Sequence, residues 1–240
     1  MGLNFFVNIS EVYKAVQKAT SSTVAIKRMS LERSLEGFPL AALNEIKILR
    51  KLNHPNIVRL IDVTMAKYAP SERLHEYSET CPFTYLWNFF MVCEYVEHSL
   101  SGLLERRISF TLPEIKCILK QVLEGLAYLH SQGIMHRDIK CSNILVSSLG
   151  IAKLADFGLS THFSPMKLES GEKPVSTLWY RAPEVLKGQD YSEAIDIWGL
   201  GCVFAELILA KPAFMGKNPK SQLDIIYLSQ PFVWAKIANQ

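Results

Sequence analysis

The sequence predicts an α+β fold in two parts, a small β-rich half followed by a larger helical half. Three observations carry this. Short runs rich in β-branched and aromatic residues dominate up to Tyr95. Beyond Tyr95 the apolar residues recur at helical spacing. The loops between those later segments are rich in Asp, Asn and Gly. In chain order, residues 12–15 and 23–27 are strands joined by the polar residues 17–22, which read as a hairpin turn. From Leu40 the apolar Leu43, Ile46, Leu49 and Leu52 recur at three-residue steps, with Glu45, Lys47, Arg50 and Lys51 between them. This is an amphipathic helix, and His54-Pro55-Asn56 ends it. Residues 57–63 and 89–95 are further strand candidates. The polar residues 66–78 between them are too many for a tight turn and read as a surface insertion. Residues 112–130 and 194–209 are helices. No internal repeat or low-complexity tract breaks this order.

Length and composition bound the function classes. A chain of 240 residues, 49% apolar and 20% charged, suits a globular unit with a substantial core. The net charge of +3 is small, and no run of Lys or Arg is long enough for a nucleic-acid arm or a membrane-surface helix. Direct nucleic-acid binding is therefore not expected. Cys81, Cys93, Cys117, Cys141 and Cys202 are scattered and odd in number, with neither a C-x-x-C pair nor a zinc spacing, which reads as a reducing compartment. No apolar run approaches the roughly 18 residues of a membrane span, and no secretory leader pattern opens the chain. The reading is a soluble intracellular protein without a membrane partner.

The strongest chemical signal is His136-Arg137-Asp138-Ile139-Lys140-Cys141-Ser142-Asn143, followed after a short hairpin by Asp156-Phe157-Gly158. Phosphoryl transfer needs an in-line hydroxyl, cancelled phosphate charge and fixed geometry more than covalent help from the protein. These two strings supply the parts. Asn143 and Asp156 offer the hard oxygen ligands that Mg²⁺ prefers, Asp138 can accept the hydroxyl proton, and Lys140 can neutralise the moving phosphate. Upstream, Val24-Ala25-Ile26-Lys27 ends an apolar strand on a lysine, and Glu45 lies on the helix that follows. Alone each is an ordinary surface charge; in this order they fit a Lys–Glu pair that holds ATP phosphates. No G-x-x-x-x-G-K-[ST] string exists, which excludes a P-loop phosphotransferase.

With Thr177-Leu178-Trp179-Tyr180-Arg181-Ala182-Pro183-Glu184 and Asp196-Ile197-Trp198-Gly199-Leu200-Gly201, the chain resembles a protein kinase over nearly its whole length. The resemblance implies a bilobal kinase fold over residues 1–240, with a β-rich lobe over 1–94 and the hinge and helical lobe over 95–240. It implies ATP as the phosphate donor, Mg²⁺, catalysis by Asp138 and Lys140, and metal ligation by Asn143 and Asp156. Val12, Ala25, Lys27, Glu45, Glu94, Val96 and Leu145 would line the ATP site, with the backbone of residues 94–96 on the adenine. Glu184 would anchor the activation segment and Asp196 the catalytic loop, while Leu49, Leu60, His136 and Phe157 would stack as a spine.

Gly37-Phe38-Pro39-Leu40-Ala41-Ala42-Leu43-Asn44-Glu45-Ile46 resembles the cyclin-contacting helix of cyclin-dependent kinases. The Gly-Phe-Pro lead-in, the insertion before Phe89, Lys140-Cys141-Ser142-Asn143-Ile144-Leu145 and Glu97-His98-Ser99-Leu100 are similar to the transcriptional members, which phosphorylate the RNA polymerase II tail. This implies a serine/threonine kinase acting on Ser/Thr-Pro sites, a cyclin docked on the helix from Pro39 to Glu45, and a nuclear location with a cytoplasmic pool also allowed. Cys93 takes the gatekeeper place usually held by Phe, which would widen the back pocket.

Three features depart from the family pattern. Phe5, Val7 and Ser10 stand where three phosphate-loop glycines belong, and Asn8 and Ile9 replace an inhibitory Thr-Tyr pair. Side chains at the glycine places obstruct backbone approach to phosphates, so ATP binds weakly or residues 1–10 form a different loop. Glu172 replaces the activating threonine while Asn44 and Thr161 replace two of three clamp arginines, leaving Arg137; a Glu172–Arg137 pair is the expectation, against a solvated loop glutamate. After Phe214-Met215-Gly216 the match fades and the chain stops short of a family member, so the last helices and the arginine partner of Glu184 are expected to be missing, unless residues after Pro219 cover the gap. The glycine places and short helical lobe favour a rival reading, a pseudokinase scaffold; the intact Lys27, Glu45, Asp138, Lys140, Asn143 and Asp156 favour the enzyme. A kinase of small molecules fits less well, given the cyclin-type helix and the Trp179-Tyr180-Arg181 segment.

Overall fold

In a computed structural model, residues 12–18, 20–29, 40–67, 87–163 and 177–238 are described. They fall into two compact units, one of Met1–Lys51 with Arg59–Tyr95, the other of Leu52–Val58 with Val96–Gln240. The α+β expectation holds, since strands dominate the first unit and helices the second.

The first unit is an antiparallel sheet of β1 (Val12–Val16), β2 (Thr23–Met29), β3 (Leu60–Lys67) and β4 (Trp87–Glu94) in the order β1-β2-β4-β3. The β1–β2 hairpin closes through Gln17 N–H on the Ser22 carbonyl at 2.9 Å, with Ser21 at φ +56° in the turn. Helix α1 (Leu40–Leu49) contributes Ile46, Ile48 and Leu49 to the buried set, with Val24, Met29 and Met91 from the sheet. The helix stops at Leu49 rather than at His54-Pro55-Asn56. Its final turn tightens when Lys51 N–H moves to the Ile48 carbonyl, and the chain then leaves the unit.

That departure also moves the next strand. Residues 57–63 read as one strand, yet β3 starts at Leu60, because Ile57 and Val58 pair elsewhere. Ile57 bridges to Leu154 in parallel, Val58 N–H donates to the Leu154 carbonyl at 2.9 Å, and Leu154 N–H donates to the Asn56 carbonyl at 2.8 Å. Buried Asn56 adds its side-chain amide on the Ala152 carbonyl at 2.8 Å.

The second unit contains β5 (His98–Ser99), α2 (Leu100–Glu105), α3 (Leu112–Ser131), β6 (Ile134–Met135), β7 (Ile144–Val146), β8 (Ala152–Leu154), β9 (Thr161–His162), α4 (Pro183–Leu186), α5 (Ala194–Leu209) and α6 (Pro219–Ala238). Strands β5, β7 and β8 form one small sheet and β6 with β9 another. Thr111 and Glu114 form a capping box that spans Pro113, which fixes the start of α3. The face of α3 carrying Ile115, Ile118, Val122, Leu126 and Leu129 is buried, and α3 packs on β8 and on α5. Helices α2, α4 and α6 are absent from the sequence reading; α2 and α4 are too short to show a period, and the apolar residues of α6 fall on no single stripe.

Burial separates the thiols. Burial, then the Glu45 carboxylate, pushes the Cys93 thiol up to about 12; burial pushes Cys202 up to about 12 and raises Cys141 as well. Cys117 is exposed. Iodoacetamide at pH 8, followed by peptide mapping, is expected to modify Cys117 at least ~10-fold faster than those three; comparable rates would contradict this packing.

Candidate active site

The His136–Asn143 string lies between β6 and β7 and is shaped from below by Asp196, in the first turn of α5 and 1% exposed. Asp196 Oδ2 accepts His136 N–H at 2.9 Å and Oδ1 accepts Arg137 N–H at 2.8 Å, while His130 Nε2 lies 2.9 Å from Oδ2. Arg137 sits in the left-handed region at φ +66°, a conformation that costs a non-glycine residue roughly 1–3 kcal/mol and that these bonds hold in place. Its guanidinium donates from Nε to the Leu159 carbonyl at 2.6 Å and from Nη1 to the Tyr191 hydroxyl at 3.0 Å.

This bend presents Asp138. Its Oδ2 takes Lys140 Nζ at 2.8 Å and Asn143 Nδ2 at 2.8 Å; Asn143 Nδ2 also donates to the Asp138 carbonyl at 3.0 Å. A tight turn over Cys141–Asn143 brings these three side chains together. Asn143 is buried, and with its nitrogen committed to Asp138 its Oδ1 keeps only a 3.3 Å bond from Ser142 Oγ. Ala155 N–H donates to the Asn143 carbonyl at 2.9 Å, which sets Asp156, at φ +61°, beside Asn143 at the same end of the β7–β8 hairpin. The next residue, Phe157, is fully buried with its ring centroid 4.8 Å from that of His136. His136 Nε2 lies 3.1 Å from the Ala155 carbonyl, so the two strings are tied together through one ring. His136 and Phe157 are the expected spine members that belong to this unit.

Helix α5 passes directly under the loop. A Cβ added at Gly199 would lie 3.0 Å from both the Cβ and the carbonyl oxygen of Ile139, between Asp138 and Lys140. Gly199→Ala is therefore expected to lose about 1–3 kcal/mol by overpacking, read as a lower melting temperature; an unchanged melt would show that the loop yields freely.

In the first unit, Lys27 Nζ on β2 bonds Glu45 Oε1 on α1 at 2.9 Å and Oε2 at 3.0 Å, with Glu45 5% exposed. The expected Lys–Glu pair is thus formed. Val12 pairs with Lys27 in register but has an exposed side chain; half-buried Ala25 pairs with Cys93. Glu94 N–H donates to the Arg59 carbonyl at 3.0 Å, and Glu94 Oε1 accepts Arg59 N–H at 2.7 Å. Val96 and Leu145 belong to the second unit, the first buried and the second half-buried on β7.

Other expectations fare differently. Glu184 is half-buried, not buried, so no fully buried carboxylate lacks a partner there; the buried side-chain polar atom without a partner among the described residues is Trp198 Nε1. Phe5, Asn8, Val7, Ile9, Ser10, Pro39 and Glu172 lie outside the described residues. Three groups escaped the sequence reading. Buried Glu206 on α5 accepts the Tyr180 hydroxyl at 2.5 Å, Tyr191 holds Arg137, and Gln222 on α6 is fully buried. Glu206 had a signal, a lone carboxylate inside the apolar run Val203-Phe204-Ala205-Glu206-Leu207. Burial lowers the Arg181 guanidinium from its ordinary value, and the Asp138 carboxylate opposes this.

A sequence profile of the protein kinase domain matches residues 8–237, and the chain belongs to that family. The match runs past Gly216 and takes in α6. The chain is 46% identical over 219 residues to cyclin-dependent kinase 12 of Caenorhabditis elegans, covering 90% of this chain and 29% of that protein. It is 41% identical over 235 residues to CTD kinase subunit alpha of Schizosaccharomyces pombe, covering 95% and 36%. It is 42% identical over 221 residues to cyclin-dependent kinase 9 of Xenopus tropicalis, covering 90% and 57%. The chain thus spans between 29% and 57% of the length of these relatives. Among the described residues, no helix is long and apolar enough to cross a membrane.

Proposed function

We propose that the chain is a serine/threonine protein kinase of the cyclin-dependent, transcription-related kind, transferring the ATP γ-phosphate to Ser/Thr-Pro sites. The observation that carries this reading is the Asp138–Lys140–Asn143 cluster, in which one carboxylate oxygen is fixed by two donors at 2.8 Å each. The Asp138 carboxylate accepts the proton of the attacking hydroxyl. Lys140 Nζ neutralises charge on the phosphate as it moves, and Lys27, held by Glu45, does the same for the nucleotide's phosphates. The donor set fits Mg²⁺: Asn143 offers an amide oxygen whose nitrogen is already committed, and the Ala155 N–H bond to the Asn143 carbonyl brings the backbone that carries Asp156 to the same hairpin end. Asn143 and Asp156 are the residues that would hold the metal, which would supply positive charge to cancel that of the phosphates.

The relatives' names, cyclin-dependent kinase and CTD kinase, support a cyclin as partner and a CTD as substrate; our reading is that the cyclin docks on the segment from Pro39 to Glu45, that the CTD is the RNA polymerase II C-terminal domain, and that the location is nuclear. Glu45 is the group through which such docking acts, since any rotation of α1 makes or breaks its bond to Lys27. The test is transfer of radiolabelled γ-phosphate from Mg·ATP to a Ser-Pro repeat peptide, with and without added cyclin and with the Asp138→Asn chain as blank. Incorporation above the blank is expected. Nucleotide and peptide binding without incorporation would support the scaffold instead.

A further inference from the structure

The segment that would face an acceptor peptide, Leu178–Tyr180 with Arg181, is held at two points, neither of which the sequence reading found. Tyr180 is tied through its hydroxyl to Glu206. The preceding residue is tied through its backbone: Gln222, 0% exposed, donates from Nε2 to the Trp179 carbonyl at 3.3 Å and to the Phe214 carbonyl at 3.2 Å. Gln222 Oε1 accepts Gly216 N–H at 2.6 Å, and Trp179 Nε1 returns to the Gly216 carbonyl at 3.2 Å. One primary amide thus spends both donors and its oxygen on three backbone groups, closing a ring with Trp179.

The chemistry allows few substitutes. Glutamate keeps the acceptor and loses both donors, asparagine is a methylene too short, and an apolar residue strands buried carbonyls. The surroundings are built to the same contact. A Cβ at Gly216 would lie 2.5 Å from Gln222 Cα and backbone N, so only glycine lets the two backbones meet. The start of α6 is fixed by a reciprocal cap, with Ser221 N–H on Asn218 Oδ1 at 2.9 Å and the N–H groups of Lys217 and Asn218 on Ser221 Oγ at 2.9 and 3.1 Å. Below it, Cys202, Phe214 and Ile226 form a buried cluster against which Tyr180 packs. Helix α6 therefore cannot shift without moving the peptide plane between Trp179 and Tyr180.

We propose that Gln222 is a positioning residue for the acceptor peptide: it sets the backbone of Trp179 and, through it, the affinity for peptide and the selectivity at the residue after the acceptor, without touching ATP. The proposal rests on the kinase reading, which makes this segment peptide-facing.

The test compares the full chain with Gln222→Glu and Gln222→Met. For the loss of two buried hydrogen bonds in the glutamate variant and all three in the methionine variant, peptide KM is expected to rise about 5–10-fold, with ATP KM within about two-fold of wild type and a reduced preference for Ser-Pro over Ser-Ala peptides. Hydrogen exchange at Arg181 N–H, which closes the turn on the Leu178 carbonyl at 3.1 Å, is expected to quicken by about ten-fold, while α3 and α5 stay protected. Equal rises in both KM values, or unchanged exchange at Arg181, would overturn the proposal. Should either variant fail to fold, Trp179→Phe, which removes only the Nε1 bond, is expected to shift the same readouts less; no shift there counts against the idea. Absence of transfer by the wild-type chain would sink the kinase reading alone, since exchange at Arg181 decides the clamp without activity.

Discussion

Asp138→Asn is expected to lower single-turnover γ-phosphate transfer by about 10³-fold, the scale on which a positioned general base contributes. The change is nearly isosteric, so the fold should tolerate it. What it removes is the negative charge that Lys140 Nζ meets at 2.8 Å and the basicity that draws the hydroxyl proton. The amide can still offer one oxygen to Asn143, which keeps the turn over Cys141–Asn143 closed. Nucleotide affinity is therefore expected to stay near wild type, because Asp138 holds neither metal nor phosphate in this scheme. A variant that transfers phosphate within about ten-fold of wild type would remove Asp138 from the chemistry and leave positioning alone to explain the rate.

Asp196→Ala is expected to be the most damaging single change to the fold of the site. The carboxylate is 1% exposed and receives two backbone N–H groups and His130. Its removal leaves the His136 and Arg137 N–H groups buried without acceptors and releases a residue held at φ +66°. The expected loss is about 3–5 kcal/mol, of the order found when one side of a buried charged network is deleted. In a chain of this size that corresponds to roughly 10 °C in melting temperature. Asp196→Asn retains one acceptor and should lose less. A loss under about 1 kcal/mol for the alanine variant would mean that the loop is held mainly by Ile139 and Phe157 packing.

What could be read from residues alone was what is encoded locally. Asp138, Lys140 and Asn143 lie within six consecutive positions, so a single turn brings them together, and the spacing announced it. Lys27 and Glu45 were legible for another reason: the hairpin before one and the helical period around the other fix which side each charge takes. Leu60 as the true start of β3 was not legible, since Ile57 and Val58 are as β-prone as their neighbours and only pairing with Leu154 decides their place. Gln222 was invisible because its partners lie 43 positions upstream and eight upstream, and because a glutamine in a polar stretch after Pro219 looks solvated. Tyr191 was hidden likewise, its hydroxyl being matched to an arginine 54 positions earlier.

The short stretch Leu52–Val58 carries a practical consequence for dissecting this molecule. It closes the flank of β8 by main-chain bonds to Leu154, yet it is encoded ahead of two strands of the other unit. A recombinant fragment beginning at Val96 would keep every residue of the His136–Asn143 string and still expose the Leu154 edge as a sticky ribbon. Reconstitution by mixing halves would therefore need the heptapeptide supplied on its own or grafted by circular permutation, and cutting the gene at the middle of the chain would yield aggregates.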